Sequence, residues 1–350
     1  MWVKQKGSGG SMKVLGFRVR VLALVVGLVL LGGCEKKQGG GGGGGGSGLK
    51  EVRLGYFANV THAQAVLGVE SGAFAKAVLP AGFSTKVFNA GPSLIEALFA
   101  GEVDIGYIGP GPAIMGHGKS KGQGVRVVSG AAANGALIVA RKDSGINSLA
   151  DLKGKRIATP QLGNTQDISA KHYVMAVLGQ GDASNVLAVA NAEQAAMMVR
   201  RQIDAAWVPE PWGSRLIAEA EGKLIAEEKD IREMWPGGEL ALTVVITTPE
   251  FLKAHREVLG KVLGVHRGLT KRLQEEPGKC VGELDAALLK LTGKKLPAGV
   301  LEASVRHVKF TDDPLEGTLS AMAKWSYELR FAKVVVGVVG RVDLSVLGGK

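Results

Sequence analysis

The chain has 350 residues, 46% hydrophobic and 21% charged, and its 43 basic and 32 acidic residues give a net charge of +11. Five basic residues and no acidic ones lie in Met1–Gly33, so the rest of the chain carries +6, which leans toward anionic ligands or an anionic membrane surface. The basic residues are scattered, with no interleaved aromatic stripe, which argues against a nucleic-acid binder, and the length suits a large core in two lobes.

At the N-terminus, Lys4, Lys6, Lys13, Arg18 and Arg20 precede the apolar run Val21–Leu31. That run is too short for a mature membrane span and reads as the h-region of an export signal. Leu31-Gly32-Gly33-Cys34 resembles the lipobox of bacterial lipoproteins, whose Cys is lipidated and becomes the new N-terminus. Met12–Cys34 makes a complete signal, so the start is either Met1 or Met12. The eight glycines Gly39–Gly46 form a flexible tether between lipid and domain. With Cys34 lipidated, Cys280 stands alone as a buried or semi-buried thiol in a helical segment, and neither a disulfide framework nor a thiolate metal site can form.

Strand and helix patterns then alternate. Val52–Phe57 and Ser84–Phe88 read as strands around helical segments at Ala63–Leu67 and Ser71–Ala75. Val125–Ser129 and Ala136–Arg141 are further strands, and Ser148–Leu152 is a helical turn. Arg156–Ala158, Val186–Val189 and Ala205–Val208 are strands set between helices at Gly163–Leu178, Ala192–Arg201 and Gly213–Ala220. Leu242–Thr247 is an apolar strand before a long helical region from Pro249. This alternation predicts an α/β fold with largely parallel sheets.

Phe88–Pro112 is the most informative stretch. Gly91 suits the N-cap of a helix and Pro92 its first position, where a missing N–H costs nothing. Leu94, Ile95, Leu98 and Phe99 share one face, and Gly101 suits the stop. The strand Val103–Ile108 runs into Gly109-Pro110-Gly111-Pro112, read as a rigid turn. Bare N–H groups at such places suit a small anion. No acid–base pair or nucleophile accompanies them, so the feature points to binding rather than catalysis.

This stretch, together with Gly55–Gln64 (GYFANVTHAQ), Lys153–Asp167 (KGKRIATPQLGNTQD) and Asp204–Leu216 (DAAWVPEPWGSRL), resembles the substrate-binding proteins of ABC importers, in the branch for aliphatic sulfonates, taurine and nitrate. The resemblance runs from about Leu49 to about Trp325. It implies an α/β fold of the type II periplasmic-binding-protein kind, two lobes with a hinge and a ligand cleft between them. Residues 1–33 are then signal peptide and 34–48 tether. Residues 49–145 and 241–350 form a discontinuous first lobe and 146–240 the second, with passages near Asp143–Ser148 and Gly238–Ala241.

Ligands of open α/β sheets sit beyond the carboxyl ends of strands. Asn59, Thr61 and His62 follow the first strand; Thr61 either caps the next helix or donates to an anion. Gly91, Pro92 and Ser93 offer N–H donors and a hydroxyl, and Gly109, Pro110 and Gly111 allow close backbone approach. Gly163, Asn164 and Thr165 start a helix that faces the cleft by analogy with the family, so two helix N-termini would favour negative charge. Trp207, Trp212, Tyr56, Phe57 and Tyr107 are candidate walls for an apolar tail. Glu210 either accepts from an amino group, pairs across the hinge, or is a structural acceptor.

The implied function is a receptor that captures a small organic anion, an aliphatic sulfonate first, by hinge closure. It would deliver this ligand to an ABC permease with its ATPase, acting as a monomer held at the cell membrane or its periplasmic face by lipidated Cys34. Taurine, nitrate, bicarbonate or a thiamin-precursor pyrimidine are alternatives, as is a sensory lipoprotein. No enzyme activity, cofactor or metal is expected. Gly118-Lys119-Ser120 lacks the first glycine of a P-loop, since Ala113 stands there, and the histidines show no H-x-x-x-H spacing. Met115 and His117 depart from the family pattern. Arg330–Lys350 keeps only Asp343-Leu344 of the usual tail, which leaves docking of the C-terminus in doubt.

Overall fold

The computed structural model describes residues 49–333 and 341–347; the signal, Cys34, the tether and part of the tail lie outside them. In chain order the elements are β1 (Glu51–Phe57), α1 (Ala63–Glu70), α2 (Ala73–Ala77), β2 (Gly82–Phe88), α3 (Gly91–Phe99), β3 (Ile105–Ile108), α4 (Pro110–Lys119), β4 (Arg126–Asn134), β5 (Ala136–Ala140), β6 (Ile157–Thr159), α5 (Thr165–His172), β7 (Val186–Ala188), α6 (Asn191–Val199), β8 (Ala205–Pro209), α7 (Trp212–Glu219) and β9 (Lys223–Glu227). There follow β10 (Ala241–Thr247), α8 (Pro249–Ala254), α9 (Arg256–Glu275), α10 (Pro277–Thr292), α11 (Val300–His307), β11 (Val308–Phe310) and α12 (Glu316–Glu328).

These strands form two sheets, ordered β11-β4-β10-β3-β1-β2 and β7-β6-β8-β5-β9. β1, β2 and β3 run parallel, as do β6, β7 and β8, but β10 opposes both β3 and β4, and β5 opposes both β8 and β9. The sheets are therefore mixed rather than largely parallel. β4 carries the chain out of the first sheet and β10 brings it back, so the two must run in opposite directions.

The passage between sheets differs from the expected boundary. β4 continues through Ala131–Ala133 to Asn134, and β5 already belongs to the second sheet, so the first passage is Gly135 and not Asp143–Ser148. The Ala-rich run carries no turn signal, whereas Asp143–Ser148 has a loop's composition without being the boundary. Gly135 has φ +74°, which favours glycine, and a Cβ there would come 2.6 Å from Val308. The return lies between Glu227 and Ala241 and runs beside the first passage: Asn134 N–H donates to Leu240 C=O at 2.8 Å.

The central strands of each sheet are buried on both faces. Leu54, Tyr56, Ile105 and Tyr107 pack under α1, α9 and α10, where Cys280 is a buried thiol, as expected. The opposite face, with Ile108, Val244 and Ile246, meets Leu94 and Leu98 of α3 and continues across to Ile138, Trp207, Ile168 and Trp325 of the second lobe. Fully burying a side chain such as Leu94 is worth roughly 1.5–3 kcal/mol. α12 packs on both α4 and α5 and so spans the two lobes.

Three further expectations change. The N-cap of α3 is Ala90, with Gly91 inside the helix, and Phe99 is 44% exposed rather than on the buried face. Gly109–Pro112 is not a free turn but the start of α4, since Pro suits a first helical turn. The C-terminal segment is docked: Val127 N–H donates to Arg341 C=O at 2.7 Å, and Asp343 N–H donates to Val127 C=O at 2.9 Å.

Candidate functional site

The start of α4, which follows β3, packs against the start of α5, which follows β6, and most of the sequence-predicted residues lie in the segments that follow β1, β2, β3, β6 and β8. On the first lobe Asn59 is buried and caps the turn Val60–His62, its Oδ1 accepting from Thr61 N–H at 3.0 Å and Thr61 Oγ1 at 3.2 Å. The cap is thus Asn59, and the Thr61 hydroxyl is already engaged. His62 is buried, stacks on Phe57 at 4.5 Å, and accepts from Phe57 N–H through Nδ1 at 3.3 Å. Burial lowers its pKa to about 3, so the ring is neutral. The Ser93 hydroxyl is exposed and donates to Ala90 C=O at 2.9 Å, while Gly91 lies against Pro112 of α4, leaving no room for a Cβ.

The two lobes meet at α4 and α5. Pro110 and Pro112 carry no N–H, and the remaining donor of that turn, Gly111 N–H, is given to Thr165 Oγ1 at 3.2 Å. A Cβ on Gly109 would stand 2.5 Å from the same oxygen. At the start of α5, Asn164 caps Asp167 N–H at 2.9 Å. The Asp167 carboxylate is fully buried and accepts from Gly163 N–H at 2.8 Å, Thr159 Oγ1 at 3.0 Å and Lys171 Nζ at 2.9 Å. The N–H of Gly163, expected to meet a ligand, therefore meets the chain's own carboxylate. Gly163 has φ +74°, and Met115 of α4 reaches across to within 3.0 Å of where its Cβ would be. Met115 thus bridges the lobes, while His117 is buried and hydrogen-bonds Val125 C=O at 3.0 Å.

Trp207 is fully buried and its Nε1 donates to Glu228 Oε2 at 2.7 Å; Trp235 Nε1 donates to Glu228 Oε1 at 3.2 Å. Trp207 is consequently part of the core beneath the edge, not a free wall, and Tyr56 and Tyr107 likewise sit under α1 and α9. Burial pushes the Glu228 carboxyl up to about 7. Glu210 is also fully buried. Its two oxygens accept from Ser214 N–H at 2.9 Å and Ser214 Oγ at 2.7 Å, and burial raises its pKa. Its own N–H donates to Gly135 C=O at 2.8 Å, which ties it to the hinge. His307 of the first lobe lies 3.2 Å from Glu227 and 3.9 Å from Glu210.

Sequence reasoning missed Glu228, Trp235 and His307 as members of this site, and it placed Asp167 in the helix-start motif without giving its carboxylate a role. Asp167, three residues after a capping Asn, carried a legible helix-start signal; Glu228 and His307 carried none, because only the fold brings them to the hinge. A groove of about 660 Å³ lies apart, between Met234–Glu239 and Asp313–Ala321, and no predicted residue lines it. Among the described residues no cluster of His, Cys, Asp and Glu could hold a metal ion, and no helix is long and apolar enough to cross a membrane.

Two α/β sheets joined by paired passages, with the starts of α4 and α5 packed together, define the periplasmic-binding-protein fold. The alkanesulfonate-binding protein SsuA of Xanthomonas axonopodis pv. citri, solved bound to MOPS, shares it with a TM-score of 0.67 and 23% identity, covering 84% of this chain and 98% of that one. The chain belongs to the NMT1-like family, which it matches over residues 45–279. A binding protein of Brucella abortus is 32% identical over 162 residues, which are 45% of this chain and 48% of the relative. The taurine-binding periplasmic protein of Escherichia coli is 28% identical over 177 residues, 49% of this chain and 51% of that protein. The match thus spans about half the length of these relatives.

Proposed function

We propose that the chain is the solute-binding component of an ABC importer. It captures a small organic solute by closing two lobes about Gly135 and hands it to a membrane permease driven by its ATPase. The observation that carries this reading is the direct meeting of the lobes at Thr165 and Gly111, with hinge passages hydrogen-bonded side by side. A lipid on Cys34 and the glycine tether would hold the domain at the membrane surface. The sequence resemblance favours an aliphatic sulfonate, with taurine, nitrate, bicarbonate or a thiamin-precursor pyrimidine as alternatives. The carboxylates Glu210 and Glu227 beside the hinge favour the members that carry an amino group over bare anions. Thermal unfolding of the protein against alkanesulfonates, taurine, nitrate, bicarbonate and aminopyrimidines tests the reading. A ligand at 100-fold its Kd adds about 2.7 kcal/mol, a shift of a few degrees. No shift with any of them would remove the transport reading in favour of a sensory lipoprotein.

A further inference from the structure

We infer that His307 is a proton-operated latch between the lobes: with a proton on each ring nitrogen it holds two carboxyl groups of the second lobe at once and keeps the lobes together, and on losing one proton it lets them part about Gly135. The inference rests on the lobe closure of the reading above and adds its regulation.

The latch straddles the hinge. His307 ends α11, and the next residue, Val308, pairs with Asn134 at the end of β4. On the other side Glu227 pairs with Leu137 of β5. Only Gly135 and Ala136 lie between Asn134 and Leu137, so a rotation at Gly135 moves the imidazole against the carboxylate. α11 also packs on α7 of the second lobe, and the Ser304 hydroxyl, one turn before His307, lies 3.4 Å from Glu210 Oε2. His307 Nδ1 is 3.2 Å from Glu227 Oε1, and its Nε2 is 3.9 Å from Glu210 Oε1. A neutral imidazole has one N–H. Given to Glu227, it leaves a bare Nε2 lone pair facing Glu210; a second proton makes that face a donor and sets a cation between two carboxyl groups.

The surroundings leave this charge to His307. Glu227 Oε2 is buried without a hydrogen bond, and Lys229, 3.6 Å from it, is shared with Asp230 at 3.0 Å. Glu228 is turned to the indoles of Trp207 and Trp235. Arg215 of α7 is held by Glu219, Lys309 of β11 by Glu239, and Glu283 and Lys290 of α10 by Arg272 and Glu70. On α11 itself the charged neighbours are Glu302 and Arg306, and His62, in the turn that α11 also touches, is kept neutral by burial. Burial raises the Glu210 pKa, and the charge of His307 opposes that rise.

The distance between lobes, measured without solute, tests the inference. The full chain with Cys34→Ser takes spin labels at Glu96→Cys on α3 and Glu193→Cys on α6, both exposed, and is read by pulsed electron resonance at pH 5.5 and 8.5. The share of molecules with the longer separation should rise about threefold or more between the two. In His307→Gln it should not change with pH; Glu228, which titrates in the same range, is present in both chains and drops out of the comparison. Glu227→Gln should flatten the response in the same way and serves should His307→Gln not fold. Identical wild-type distributions at the two pH values, or a wild-type response that survives in His307→Gln, overturn the inference. The receptor reading fails separately: distances that answer to pH through His307, while no solute raises the unfolding temperature, leave the latch standing without it.

Discussion

Replacing Glu228 by Gln should change how stability depends on pH. Glu228 is fully buried, and its carboxyl is pushed from 4.5 to about 7, chiefly by burial. Because the folded-state pKa lies above the unfolded one, the native state holds the proton more tightly. The stability this contributes is complete below about pH 4.5 and is lost as pH rises through about 7. At 1.36 kcal/mol per unit, the loss across that window is about 3 kcal/mol. The variant carries no such term. Its amide keeps one acceptor and cannot serve both indoles, so the Trp207 or Trp235 N–H is left unpaired at a cost of about 1–3 kcal/mol that does not vary with pH. Urea unfolding read by tryptophan fluorescence should therefore find the wild type the more stable protein near pH 5 and the variant level with it or ahead near pH 8. Buried His62 and His266 and half-buried His172, held down to about 3, 4 and 4 by desolvation, give the opposite trend, but they do so in both proteins and cancel in the difference. Parallel stability curves for the two proteins over this range would falsify the assignment of a protonated, buried carboxyl at Glu228.

Other perturbations follow from the lobe contact. Gly109→Ala places a methyl 2.5 Å from Thr165 Oγ1, at a backbone conformation Ala adopts freely, so it should hold the lobes apart. Small-angle scattering should show a larger radius of gyration than for wild type, and Thr165→Ala in the same chain should restore it; an unchanged radius counts against closure at this point. Gly163→Ala meets both a positive φ and Met115, and should cost roughly 1–2 kcal/mol in urea unfolding. Pairing it with Met115→Ala should recover the part due to crowding and none of the part due to backbone strain. In a Cys34→Ser chain, buried Cys280 should resist iodoacetamide until the protein is unfolded; rapid labelling of the native chain would contradict its place on the buried face of α10, against α9.

The sequence by itself determined the class of fold, through alternating β and α patterns, and the order of the motifs that line the two edges. It also located the helix starts at Pro92 and Asn164 and the loop at Pro209–Pro211, because proline, asparagine and glycine act on the local backbone whatever surrounds them. It did not decide what those residues touch. The N–H of Gly111 looks free in the sequence, and only tertiary packing brings Thr165 to it, whereas the Asp167 carboxylate that takes the Gly163 N–H lies four residues away on the same helix start. Trp207 reads as a pocket wall until Glu228, distant along the chain, arrives to take its indole N–H. The lobe boundary was misplaced for a related reason. Strand β4 stays in the first sheet through an alanine run whose pairing with β10 is a long-range choice, and the turn chemistry that composition does reveal, at Asp143–Ser148, lies on the outer side of the second lobe. Local backbone preferences are written in a few residues; which buried donor meets which acceptor is settled only when distant strands pack.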